Sequence, residues 1–268
     1  MLIAVAQISS TESKADNLET ISEYTDKAAA QGARMVIFPE ASMQAFGTGR
    51  LDKAAEDLDQ QFVSRLIELS TANDIAIVVG LFRPADRSGE INRIYNTVVM
   101  VKPTGELIYY DKIHTYDAFG YQESRTVKAG DRLRVFDYEG INFGIATCYD
   151  LRFPEQFRQL AQRGAEVILV VMSWAGGEGK LEQKQLLLRA RALDSTSWVI
   201  SCDQAEYPDL SAPRGVGHSI FVNPLGTVVA ECGAEKELKL YDVDTQQLSA
   251  IREKLPVLAY DESGYSQK

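Results

Sequence analysis

The sequence predicts an α/β fold in which two sheets pack face to face with helices on the outside. Short apolar runs suited to buried strands alternate with amphipathic helical stretches. The second half also echoes the first. Gln31-Gly32-Ala33-Arg34-Met35-Val36-Ile37 is matched by Arg163-Gly164-Ala165-Glu166-Val167-Ile168-Leu169, each following a helix and opening a strand. Hairpin texture joins the two halves. Strands that are continuously apolar must be covered on both faces, one by the opposing sheet and one by helices.

Taken in order, residues 2–8 (LIAVAQI) form a buried strand, and 16–30 a helix with Leu18, Ile21, Tyr24 and Ala28 on one face. Gly32 ends it, and 35–38 is a second strand stopped by Pro39-Glu40. Residues 51–72 carry Leu58, Phe62, Leu66 and Leu69 at helical spacing, which predicts one helix, followed by a strand at 75–81. Two hairpins follow, 94–101 with 107–110 and 133–138 with 141–147, the second turning at Glu139-Gly140. Between them, 112–132 is polar and aromatic without period, and is expected to be loop. Pro154 opens a helix, 167–172 is a strand, 180–195 a helix and 198–202 a strand. Residues 219–222 and 227–230 flank an Asn-Pro-Leu-Gly turn. A strand at 238–243, a helix at 245–255 and a tail at 256–268 complete the chain. No linker rich in Pro, Gly or Ser divides it, so residues 1–268 are expected to form one domain.

The 268 residues suffice for a full core. A net charge of −10 and a pI near 4.9 argue against nucleic acid or an anionic membrane as partner. The three cysteines, Cys148, Cys202 and Cys232, are odd in number and form no CxxC pair, so neither a disulfide framework nor a metal site is indicated. With no leader and no apolar run approaching a membrane span, a cytoplasmic location is expected.

Three polar residues stand just after apolar strands: Glu40 (VIFPE), Lys112 (IYYDK) and Cys148 (GIATC). Cys148 falls where a strand ends and a helix is about to begin, so its side chain can face a crevice and nearby backbone N–H groups can hold developing negative charge. A carboxylate, an ammonium and a thiol converging at one rim would make a hydrolytic set. Glu40 would take the thiol proton as general base. Lys112 would stabilise first the thiolate and then an oxyanion, and Cys148 would attack a carbonyl or nitrile carbon. Taken singly, each has a plainer reading: a small buried thiol, or charged groups in solvent.

Together the stretches Phe38-Pro39-Glu40, Tyr110-Asp111-Lys112-Ile113-His114 and Cys148-Tyr149-Asp150-Leu151-Arg152-Phe153-Pro154-Glu155, followed by Arg189-Ala190-Arg191-Ala192-Leu193-Asp194 and Gly217-His218-Ser219, resemble the nitrilase superfamily of carbon–nitrogen hydrolases. The likeness runs from the first strand to about residue 243. It implies an α-β-β-α sandwich, a Glu40–Lys112–Cys148 triad, no cofactor, and homodimers or larger assemblies. It also implies a second glutamate, Glu123, that positions Lys112, and an oxyanion site shared by Lys112 and the N–H of Tyr149. The CYDLRFPE stretch is most similar to the amidase branch containing ω-amidase and deaminated glutathione amidase. That implies a small linear, carboxylate-bearing amide as substrate, cleaved to acid and ammonia through a thioester.

Arg152 is the local cation for such a carboxylate, with an ion pair to Asp150 or Glu155 as the alternative. Trp174, after the strand at 167–172, is expected either to wall the pocket or to pack beneath the loop. Nitrile and N-carbamoyl amino acid hydrolysis use the same triad. Of the rivals, a Cys–His hydrolase has only His114 and His218 to draw on and no evident Asp or Asn orienter. Gly47-Thr48-Gly49 is too short to signal phosphate binding. A non-catalytic dimeric binding protein of the same fold would not be expected to keep Glu40, Lys112, Glu123 and Cys148 together.

Overall fold

The computed structural model describes residues 1–206 and 215–259, so the tail from 260 onward lies outside the described residues. The elements of the first half are β1 (Leu2–Gln7), α1 (Lys14–Ala30), β2 (Met35–Ile37), α2 (Leu51–Ala54), α3 (Gln61–Asn73), β3 (Ala76–Ser88), β4 (Ile91–Val101), β5 (Leu107–Asp111), β6 (Asp117–Ala118) and β7 (Tyr121–Gln122). The second half contains β8 (Val135–Tyr138), β9 (Ile141–Thr147), α4 (Pro154–Gln162), β10 (Val167–Met172), α5 (Lys180–Ser195), β11 (Trp198–Asp203), β12 (Ile220–Val222), β13 (Val228–Glu231), β14 (Glu237–Asp242) and α6 (Leu248–Lys254). No helix among the described residues is long and apolar enough to cross a membrane.

Two six-stranded sheets result, ordered β14-β1-β2-β3-β4-β5 and β13-β12-β11-β10-β9-β8. Each is parallel at its centre, β1–β2–β3 in one and β9–β10–β11 in the other, with antiparallel strands outside. Three apolar layers hold them. Ile3, Val5, Met35, Ile37 and Val78 face Phe143, Ile145, Leu169, Val171 and Ile200 between the sheets. The opposite strand faces carry Ala4, Val36 and Ile77 against Ile21, Phe62 and Leu66 of α1 and α3. Likewise Ala146, Ile168 and Val170 meet Phe157, Leu160 and Leu188 of α4 and α5. The period-2 alternation of strand side chains sends neighbours to different layers, and the result is the four-layer α-β-β-α sandwich expected.

Three local expectations need correction. Residues 51–72 are not one helix: the chain breaks after α2, because Glu56 is drawn out to pair with Lys14 and to accept the N–H of Phe62 at the start of α3 (2.9 Å). Strand β3 runs past residue 81 into a long hairpin with β4, held by Asp86 with Arg93 (2.7 Å) and by Arg83 with Asp111 of β5 (2.5 Å). The stretch 112–132 is mostly loop but contains the β6–β7 hairpin, whose turn residues Phe119 (φ 53°) and Gly120 (φ 79°) both take the left-handed conformation that a tight two-residue turn requires.

Candidate active site

Glu40 follows β2, and its backbone is locked against β3. Gly80 donates to the carbonyl of Pro39 (3.1 Å) and accepts from Ser42 (3.0 Å). The Glu40 carboxylate is 1% exposed and accepts from three directions. Asn96 Nδ2 (2.7 Å) and Lys112 Nζ (3.3 Å) reach Oε1, and the backbone N–H of Ser173, just past β10, reaches Oε2 (2.8 Å). The ends of β2 and β10 therefore meet at one rim.

Lys112 leaves β5 with its own N–H on Asn96 O (2.9 Å). Its ammonium is 2% exposed and bound to both oxygens of Glu123, at 3.2 and 2.9 Å. Glu123, 4% exposed at the start of a 3₁₀ turn (Glu123–Arg125), also receives the N–H of Tyr116 (2.6 Å). Burial works against the Lys112 charge, but Glu123, Glu40 and Cys148 more than offset it and hold the ammonium's pKa well above the ordinary range.

Cys148 opens a 3₁₀ turn (Cys148–Arg152) directly after β9, with φ at 44°, a region that side-chain-bearing residues rarely adopt. Asp150 fixes this turn. One of its oxygens accepts the N–H of Thr147 (2.8 Å) and the hydroxyl of Tyr110 (2.6 Å), and the other accepts the N–H (3.0 Å) and faces Nδ1 (2.8 Å) of His114. The thiol faces the same cavity as Glu40, and Sγ is 3.8 Å from Ser173 O. Burial and then Glu40 push the thiol's pKa well up, against the pull of Lys112, so the resting sulfur is protonated. Burial likewise raises the Glu40 carboxyl, with Lys112 opposing.

Glu40, Lys112, Glu123, Cys148, Tyr149, Arg152 and Trp174 all line one cavity of about 920 Å³. All seven residues singled out by sequence are thus brought together. Arg152 makes no ion pair with Asp150 or Glu155; Asp150 is already occupied, and the guanidinium instead donates to Gln183 (3.0 Å) and lies 5.0 Å from the Trp174 ring. Its Nε is buried without a hydrogen-bond partner. Trp174 is fixed by two donations, its N–H to Asp203 (2.9 Å) and its ring N–H to Lys180 O (2.9 Å). Behind it Asp203 pairs with Lys184 at 2.8 Å, both fully buried.

His114 does have a carboxylate orienter, Asp150, contrary to expectation. That pair braces the loop, with the imidazole stacked 3.6 Å from the Phe153 ring. Sequence reasoning missed Asn96, which bridges Glu40 and Glu123 (3.4 Å). It also missed Asp150 as an organiser and the backbone of Ser173. Among the described residues, no group of three His, Cys, Asp or Glu side chains is placed to hold a metal ion.

The four-layer sandwich is that of the nitrilase superfamily. The carbon–nitrogen hydrolase family model matches residues 2–253, and the chain belongs to that family. It is 40% identical to Hydrolase Rv0480c of Mycobacterium tuberculosis over 96% of this chain and 94% of that one. To human ω-amidase NIT2 it is 31% identical over 95% and 92%. The solved structure of Saccharomyces cerevisiae Nit3, a member of branch 10 of the nitrilase superfamily, superposes with a TM-score of 0.84 at 26% identity, covering 99% of this chain and 97% of that one.

Proposed function

We propose that this chain hydrolyses the C–N bond of a small linear amide that carries a carboxylate, releasing ammonia, with Cys148 as nucleophile. The observation that carries this reading is the Lys112 ammonium held between Glu40 (3.3 Å) and Glu123 (2.9 Å) beside a protonated, buried thiol. A thiol whose pKa is raised cannot attack unaided and needs an adjacent base. Glu40 is that base: it lines the same cavity as Cys148, and burial raises its pKa toward the range where a carboxylate accepts protons effectively.

Glu40 takes the Sγ proton as sulfur attacks the amide carbon. The oxyanion forms against Lys112 Nζ and the N–H of Tyr149, one of the first N–H groups of the 3₁₀ turn, which lack an acceptor within it. Collapse breaks the C–N bond, and Glu40 returns its proton to the leaving nitrogen. The resulting thioester is opened by water, whose proton goes to Glu40; collapse expels the Cys148 thiolate, which takes that proton back from Glu40, giving the acid and the free thiol. Glu123 is a positioning residue for Lys112. Arg152, which lines the cavity without a carboxylate partner among the described residues, receives the substrate carboxylate, and Trp174 is an apolar wall. The amidase name of the human relative supports an amide over the nitrile and N-carbamoyl substrates that the same atoms could process. The chain works as a homodimer or larger assembly, in keeping with the superfamily resemblance.

The test is ammonia release over a panel of α-ketoglutaramate, deaminated glutathione, aliphatic amides, nitriles and carbamoyl amino acids. Intact-mass detection of an acyl group on Cys148 accompanies it. Amide turnover that vanishes in Cys148→Ala, with the circular-dichroism spectrum retained, is the expected result. Ammonia release that survives Cys148→Ala, or none from any amide, overturns the reading.

A further inference from the structure

Four cations line the cavity: Arg50, Lys112, Arg152 and Lys180. Two are neutralised locally, Arg50 by Asp52 (2.7 Å) and Lys112 by Glu40 and Glu123. Arg152 and Lys180 have no carboxylate partner among the described residues, although the protein carries ten more acidic than basic side chains. The two sit together. The Lys180 ammonium stands 3.2 Å from the centroid of the Phe119 ring, and the Arg152 guanidinium lies 6.0 Å from the same ring and 5.9 Å from that of Tyr149. Aromatic faces soften such an arrangement but do not cancel it.

Lys180 is also the first residue of α5, a 16-residue helix whose N-cap, Gly179, offers no side-chain cap. The N-terminal end of a helix carries partial positive charge and favours anions, so a lysine there adds like to like. Three positive features thus converge on one wall, and Glu182, the acidic residue in the first turn of α5, is ion-paired to neither side chain. A cluster of cations with no carboxylate ion-paired to it among the described residues costs stability unless an anion completes it.

We propose that Arg152, Lys180 and the uncapped start of α5 form a subsite for a doubly negative group, so that the substrate is an amide whose far end bears two carboxylates rather than one. This rests on the hydrolase reading above and narrows its substrate class. Lys180 reads the second charge and Arg152 the first. Phe119, exposed at the tip of the β6–β7 hairpin, is the apolar side of the subsite and holds the lysine in place.

The test uses the full chain carrying Cys148→Ala, so that binding is measured without turnover. Calorimetry compares glutaramate, with one carboxylate, and 2-(2-carbamoylethyl)malonate, which carries a second carboxylate on the same carbon. The doubly charged ligand is expected to bind about tenfold tighter, a preference that grows as salt is lowered. Lys180→Met should bring the ratio of the two affinities close to one, while Arg152→Met weakens both ligands. Equal affinities, a tenfold preference that survives Lys180→Met, or no binding of either ligand at millimolar concentration overturns the proposal. Ammonia release by the unmodified chain is scored separately. Selective binding without release sinks the hydrolase reading alone, and release without charge preference sinks only the subsite.

Discussion

Gly80 offers the sharpest test of how the fold aims Glu40. A Cβ placed on this β3 residue would stand 2.6 Å from Glu40 Cα, 2.7 Å from Pro39 O and 3.0 Å from Ala41 N. All three are backbone atoms, so no rotamer can relieve the overlap. Non-bonded carbons settle about 3.5–4.0 Å apart, so Gly80→Ala must drive the end of β2 back by roughly 1 Å. Overpacking of this kind costs about 1–3 kcal/mol, against a total stability of about 5–15 kcal/mol. The variant should therefore fold, with a melting temperature lowered by roughly 2–10 °C. A reacting group displaced by 1 Å can cost on the order of 10²-fold in rate, and that loss is expected in kcat/KM for ammonia release. Gly144→Ala is the control: its Cβ would meet only side chains, Ala165 and Leu160 at 3.3 Å, on the outer face of the second sheet. It should lower the melting temperature with little change in kcat/KM. If Gly80→Ala lowers the melting temperature and leaves kcat/KM intact, the argument that this close approach sets the position of Glu40 is wrong.

Further outcomes follow from the buried charges. Because burial raises the Glu40 carboxyl, the acid limb of kcat/KM should fall above pH 4.5, the group's ordinary value; below the limb Glu40 holds a proton and cannot take one from the thiol. The same shift means that the folded state holds this proton more tightly than the unfolded chain, so Glu40's contribution to stability declines as pH rises from 4.5 through its folded value. Asn96→Ala removes a donor that holds the carboxyl down, and should move the limb to higher pH and lower kcat/KM by about tenfold; a pH profile that does not move refutes the assignment. Lys184→Met strands Asp203, whose pKa burial already raises, and should cost about 3–5 kcal/mol by thermal melting. Pairing it with Asp203→Asn should recover much of that loss, and a single variant as stable as the parent would show that the pair is not holding the wall behind Trp174.

The layering was legible because strands apolar on both faces leave few alternatives, and Cys148 was legible because an apolar strand meets Pro154 within seven residues. Arg152 could be named but not decided, since whether it pairs locally depends on what else Asp150 binds, and Tyr110 and His114 come from another part of the chain. Asn96 was hidden within INRIYNTVVMV, where it is one of two amides among β-forming residues and resembles an ordinary strand polar group. Its task exists only once β4 lies beside both Lys112 and Glu40. The break inside residues 51–72 was masked for a related reason: apolar spacing continues across it, while Glu56 is claimed by Lys14, forty-two residues earlier. Periodicity reports which face is buried, and says little about polar groups whose partners are distant in sequence.

Glu40 and Lys112 hang from the first sheet, and Cys148 and Ser173 from the second. The proposed reaction therefore straddles the seam where Ile37, Ile145 and Leu169 interlock. Slippage of one slab past the other by a fraction of a bond length would part base from sulfur long before either slab melted. Catalytic output thus acts as a strain gauge for that joint, and neither half could perform the proposed chemistry by itself.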